Sequence, residues 1–172
     1  VVRRYDDMQL VAEIQQALDG SEFELLAQPI TSLSADSTNP HHEILLRMGD
    51  GEGGRVETGA LFSAAERYRM MPQIDRWVVS TTIARLSEIN EDVEGQDAVF
   101  AINLSGQSLV DDDFLQFIEQ EIDSSNISDS SLCFEITESA AVSNLKNAQA
   151  FIDRLRERGC HISLDDFGAG LS

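Results

Sequence analysis

The chain has 172 residues, 42% of them hydrophobic and 25% charged, which is enough for one domain with a sizeable core. Its 12 basic residues against 31 acidic ones give a formal charge of −19. That field excludes nonspecific binding to a nucleic-acid polymer or an anionic lipid surface, and leaves room only for a local basic pocket that holds a phosphate. Cys133 and Cys160 form neither a disulfide framework nor a metal-ligand spacing, and read as reduced thiols of an intracellular chain. No signal peptide is visible, and no apolar run approaches the roughly 18 residues that a membrane helix needs. A chain that begins without methionine reads as a piece of a longer protein.

Residues 1–20 carry Met8, Leu10, Val11, Ile14 and Leu18 at helical spacing and end at Gly20, a lead-in helix with its own stop signal. Phe23 to Ile30 and His42 to Met48 read as strands. Only eleven residues, rich in Ser, Thr, Asp, Asn and Pro, separate them, too few for a helical crossover, so the pair is expected to be antiparallel. Gly59 to Tyr68 reads as a short helix. From Pro72 to Ile89 the residues Ile74, Val78, Val79, Ile83, Leu86 and Ile89 share one helical arc, with Asp75 inside it against the pattern.

Ala98 to Leu104 is a strand covered on both faces. A helix from about Asp113 groups Phe114, Leu115, Ile118 and Ile122, and Leu132 to Thr137 is the fourth strand. Leu145, Ala148, Phe151, Ile152 and Leu155 form a helical stripe that stops at Gly159, after which a fifth strand runs into Asp165-Asp166-Phe167-Gly168. Strand and helix alternate from residue 42 onward, which calls for a parallel sheet with helical crossovers. Spacing alone allows either an open doubly wound sheet or a (β/α)8 barrel, although a barrel typically takes about 250 residues.

Polar residues interrupt these strands. Glu43 and Arg47 share one face of the second strand with Leu45 between them, Asn103 and Glu135 lie in the third and fourth, and Asp165 ends the fifth. In parallel α/β folds the carboxyl ends of the strands build the ligand site, so Asn103, Glu135 and Asp165 can converge. Each could instead bond the backbone or cap the next helix. Taken together they suit a cation: two carboxylates about 4 Å apart repel by roughly 4 kcal/mol at an effective dielectric near 20. Oxygen ligands without Cys or His favour Mg2+ or Mn2+ over zinc.

Gln28-Pro29, Glu43-Ile44-Leu45-Leu46-Arg47, Ala64-Ala65-Glu66-Arg67, Asp75-Arg76-Trp77-Val78, Asn103-Leu104-Ser105, Glu135-Ile136-Thr137-Glu138 and Asp165-Asp166-Phe167-Gly168 stand in the order and spacing of the EAL domain, which the chain resembles from Phe23 onward. The resemblance implies an α/β fold, a TIM-like (β/α)8 barrel with one antiparallel strand. It also implies a phosphodiesterase that opens cyclic di-GMP, a bacterial second messenger, to linear pGpG with Mg2+ or Mn2+.

Carried over residue by residue, it makes Glu43, Asn103, Glu135 and Asp165 ligands of a first ion, with Asp166 turned toward a second. Glu43, Asp165 and Asp166 are thereby the catalytic set. Arg47 would hold a nucleotide phosphate, Gln28 would line its site, and Glu138 and Ser105 would support the ligands. Both aspartates can reach metal only if the strand ends or bends between them, as the glycines that follow would allow. Glu66 and Arg67 read as an exposed pair and Trp77 as core.

Residues 1–20 then resemble the linker that follows a GGDEF domain, and 21–172 the N-terminal part of the barrel. A GGDEF or sensor domain upstream, a homodimer and a cytoplasmic site, with any membrane anchor elsewhere, complete the expectation. Ile44 replaces the family's Ala on the face away from Glu43, and Ala169 and Leu171 stand for its usual Thr and Tyr. The chain stops at Ser172, before the positions of the family's catalytic lysine, a later metal-site glutamate and the last three strands. The fragment alone is therefore expected to be inactive. The alternative reading is an EAL-like domain that has lost catalysis and acts as a cyclic di-GMP receptor or a protein-interaction module.

Overall fold

The computed structural model describes residues 2–20, 22–32, 39–50, 54–92 and 98–166. Helix α1 (Val2–Asp19) leads into strand β1 (Phe23–Ile30), followed by β2 (His41–Met48), α2 (Thr58–Arg67), α3 (Met71–Asp92) and β3 (Val99–Leu104). Then come α4 (Phe114–Asp123), β4 (Leu132–Thr137), a short α5 (Glu138–Ser143), α6 (Leu145–Arg158) and β5 (His161–Asp165), with single 3-10 turns at Ser108–Val110 and Asp129–Ser131. The strands form one sheet in chain order, β1-β2-β3-β4-β5. β1 runs antiparallel to β2 from Phe23↔Met48 to Ile30↔His41, as the short polar connection requires, and β2 to β5 run parallel. This is the strand order of a barrel wall with one reversed strand, and it settles the choice that spacing left open.

Period-2 geometry divides each strand between two environments. Ile44, Leu46 and Met48 of β2, Ile102 and Leu104 of β3, and Leu132, Phe134 and Ile136 of β4 face the helices and are buried. Against them pack Ile74, Val78, Val79, Ile83 and Leu86 of α3, Phe114, Ile118 and Ile122 of α4, and Ala148, Phe151 and Leu155 of α6. Phe114 stacks on Phe151 with ring centroids 6.3 Å apart, and the Arg76 guanidinium sits 5.2 Å over Phe114, closing the α3, α4 and α6 layer. Arg158 pairs with Asp123 at 2.7 Å and Asp129 at 3.2 Å, tying the end of α6 to the chain that enters β4. Gly159 then takes φ 106 and caps α6, a left-handed turn that a side chain would strain.

Some expectations move. Ile89 and Leu145, each assigned to a buried stripe, are 54% and 67% exposed. Ile89 sits near the far end of the 22-residue α3, which at 1.5 Å per residue outruns the sheet it packs on, and Leu145 is the first residue of its helix. Trp77 is half-buried rather than core, tilted against Phe23 at 5.2 Å. Ile14 and Ala17 of α1 are fully buried, so the lead-in helix packs on the core. Glu66 and Arg67 are both exposed. Among the described residues no helix is long and apolar enough to cross a membrane. Phe167, Gly168, Ala169 and Leu171 lie outside the described residues.

Candidate active site

The face of the sheet turned away from the helices is built in rungs. Glu43 of β2 stands beside Ala101 of β3, which stands beside Cys133 of β4 and then His161 of β5. One step nearer the carboxyl ends, Asn103, Glu135 and Ser163 form the next rung, and Thr137 and Asp165 the one above. Residues two apart on a strand are about 6.6 Å apart, so a Glu side chain spans from one rung to the next. Glu43 does this: its Oε1 accepts a hydrogen bond from Asn103 Nδ2 at 2.9 Å, across 60 residues of sequence. Gln28, opposite Glu43 on β1, shares the face and is exposed.

Glu135 is pushed above its ordinary carboxylate range, first by burial, then by the negative charge of Glu43 and, less, of Asp165, with a hydrogen bond from Ser163 opposing. Ser163 was not picked out from the sequence. Its signal was there, since it lies two residues before Asp165 and so on the same face. Among the described residues, no Lys or Arg forms an ion pair with Glu43, Glu135 or Asp165. Uncompensated carboxylates on adjoining strands, with an amide between them, fit a hard divalent cation by donor chemistry. In the conformation described, no three His, Cys, Asp or Glu side chains among the described residues already stand together as a ligand set.

Strand β5 ends at Asp165, and Asp166 takes φ 56, its N–H donating to Asp165 Oδ1 at 2.8 Å. The bend that lets neighbouring aspartates leave opposite faces therefore falls on Asp166 itself, ahead of the glycines. Arg47, two steps beyond Glu43, donates through Nη1 to the Leu46 carbonyl at 2.8 Å. It opens on a cavity of about 310 Å³ bordered by Leu45, Phe62, Asn103, Ser105 and Thr137. Thr137 caps α5 by accepting from the Ala140 N–H at 3.3 Å. Glu138, the first residue of α5, puts a negative charge at the positive end of that helix.

Ser105 is held from behind. Asp75, buried on α3, accepts the Ser105 N–H at 2.9 Å and the Ser108 hydroxyl at 2.6 Å. Its interruption of the α3 apolar arc is thereby explained: a buried carboxylate fixes the turn that follows Asn103. Burial pushes Asp75 up to about 6, against the lowering effect of these hydrogen bonds. Cys133, on the same face as Glu135, and Cys160 are free thiols that burial pushes up to about 11, so neither is a thiolate nucleophile at neutral pH.

The chain matches the EAL domain over residues 11–172. It is 35% identical over 165 residues to cyclic di-GMP phosphodiesterase PdeF of Escherichia coli, covering 96% of this chain and 21% of that protein. It is likewise 35% identical over 159 residues to cyclic di-GMP phosphodiesterase PdeB of Shewanella oneidensis, covering 92% of this chain and 18% of that protein. The chain thus spans about a fifth of the length of these relatives. Its fold superposes with a TM-score of 0.84 and 31% identity on the FimX EAL domain of Pseudomonas aeruginosa bound to cyclic di-GMP, covering 94% of this chain and 64% of that one. With the reversed first strand, the parallel sheet and the motif residues on one face, these matches show that the chain belongs to the EAL domain family.

Proposed function

We propose that the protein carrying this chain is a cyclic di-GMP phosphodiesterase that hydrolyses one diester bond to give linear pGpG with Mg2+ or Mn2+. The observation that carries the reading is the Asn103–Glu43 hydrogen bond, which joins two motif residues from different strands on the polar face that Arg47 shares, two steps beyond Glu43 on β2. Glu43, Asn103, Glu135 and Asp165 would hold the ion, and Asp166 a second. What a bound divalent ion supplies there is Lewis acidity toward the phosphodiester and neutralisation of developing charge.

This chain's own residues do the remaining work. Arg47, at the mouth of the cavity, offers a guanidinium to a phosphate oxygen. Asp75, by fixing Ser105, holds the end of β3 so that Asn103 and Glu43 keep their register. We further propose a cytoplasmic site, with α1 connecting upstream to a GGDEF or sensor domain.

The test compares Glu43→Gln with Arg47→Ala in the full-length protein. Glu43→Gln keeps size and hydrogen bonding but loses the charge, so turnover should fall by at least about 100-fold while calorimetric affinity for cyclic di-GMP changes much less. Arg47→Ala removes a charge-assisted hydrogen bond of about 1.5–3 kcal/mol and should weaken binding directly. Normal turnover in Glu43→Gln would remove the metal assignment. A wild-type protein that binds and does not hydrolyse would be a receptor.

A further inference from the structure

Arg47 has a carboxylate across the strand ladder and is not paired with it. Register sets Glu24 of β1 directly opposite Arg47 of β2, and residues opposite each other on antiparallel strands share a face, with Cβ atoms about 4.5–5.5 Å apart. Opposite charges so placed normally attract. The Arg47 guanidinium instead donates through Nη1 to the Leu46 carbonyl at 2.8 Å, and among the described residues it forms no ion pair. Glu24 is taken from another side: its Oε2 accepts from Arg55 Nη2 at 2.8 Å. Arg55 comes from the chain just beyond β2, which doubles back so that Arg55 bridges Gly49 in antiparallel fashion and the Val56 N–H donates to the Met48 carbonyl at 2.9 Å. The fold-back thus delivers a second arginine to the carboxylate that faces the first. Glu24, Arg47 and Arg55 border one crevice of about 1050 Å³, and of the three only Arg47 also borders the cavity that contains Asn103.

We propose that Arg55 is a positioning residue for substrate binding: by holding Glu24 it keeps Arg47 unpaired and open to a phosphate of the cyclic dinucleotide, an inference that rests on the function proposed above. The physical reason is competition. A guanidinium met by a carboxylate has its donors occupied and its charge offset, so a phosphate oxygen must displace that carboxylate to reach it. Acidic residues outnumber basic ones in this chain by 31 to 12. An arginine that stays open to an anionic ligand therefore needs a second cation on the carboxylate across the ladder. The Arg55–Glu24 bridge is itself exposed, at 56% and 55%, and so contributes little to stability. Its consequence is where it leaves Glu24.

The test is calorimetric binding of cyclic di-GMP to the full-length protein and to Arg55→Gln, Glu24→Gln, the double variant and Arg55→Lys. Arg55→Gln releases Glu24 to Arg47 and should weaken binding about fivefold, with the melting temperature little changed. Glu24→Gln alone should alter affinity by less than about twofold, because that carboxylate is already held away from Arg47. The double variant should return to the wild-type affinity. Arg55→Lys, which keeps a cation on Glu24, should retain it. If Arg55 acted only through the general field, the two substitutions would be additive, with Glu24→Gln raising affinity as much alone as beside Arg55→Gln. That additivity overturns the proposal, as does an unchanged affinity in Arg55→Gln or an equal loss in Arg55→Lys. Turnover measured in parallel separates the two readings. A protein that shows the coupling in affinity but leaves cyclic di-GMP intact keeps the role of Arg55 and rejects the phosphodiesterase; one that hydrolyses without the coupling does the reverse, and a wild type that does not bind cyclic di-GMP rejects both.

Discussion

The two faces of the sheet are made from alternate residues of the same strands, yet they differ in almost every physical respect. On the helix side Phe134 and Ile136 of β4 are fully buried among apolar neighbours. On the other side the residue between them, Glu135, is half-buried beside two further carboxylates that repel it. One face gains its free energy from removing apolar area from water; the other gives some back by holding like charges together. The difference teaches that the polar face is not there for stability, since no salt bridge among the described residues compensates Glu43, Glu135 or Asp165.

Neighbouring substitutions on one strand can break this contrast. Phe134→Ala on the helix side leaves a cavity among fully buried residues and should cost about 3–5 kcal/mol, read as a lower denaturation midpoint of the complete domain. An intermediate effect is expected from Asp75, which is buried like the first face and charged like the second. Its folded-state value is pushed up to about 6 from an ordinary 3.8, so between those values the folded chain holds a proton that the unfolded chain has lost. This contribution is fully present below pH 3.8 and lost as pH rises through 6, in all about 3 kcal/mol. The difference in stability between wild type and Asp75→Asn should therefore change across that window, and a difference flat from pH 4 to 7 would show that Asp75 does not titrate there.

The smallest effect belongs to Glu135→Gln, one residue from Phe134. It removes a repelled charge while keeping shape, and should leave stability within about 1 kcal/mol or raise it slightly. A loss comparable to that of Phe134→Ala would mean that the two faces do not divide their labour as described.

Much of this division was legible beforehand, because alternation is local. Phe23–Ile30 and Leu132–Thr137 were read with the bounds they have, and the antiparallel hairpin followed from the length and composition of its connection. Helix α5 went unread: ESAAVS is six residues long, with no room for a 3.6-residue repeat to declare itself. Asp75 was visible as an irregularity but had no reading, since its partners Ser105 and Ser108 lie 30 and 33 residues away.

The sequence by itself determined the order of the strands and of every helix but α5, which residues of each strand share a face, and the membership in the EAL domain family. Hydrophobic period and motif spacing are properties of the chain taken a few residues at a time. Only the tertiary structure decided the register, and with it that Glu43 lies one rung below Asn103 and reaches it, that Glu135 feels Glu43 and Asp165, and that the strand turns at Asp166. Those relations span up to 60 residues and depend on how the helices seat the sheet, because a shift of one residue along any strand would exchange its two faces.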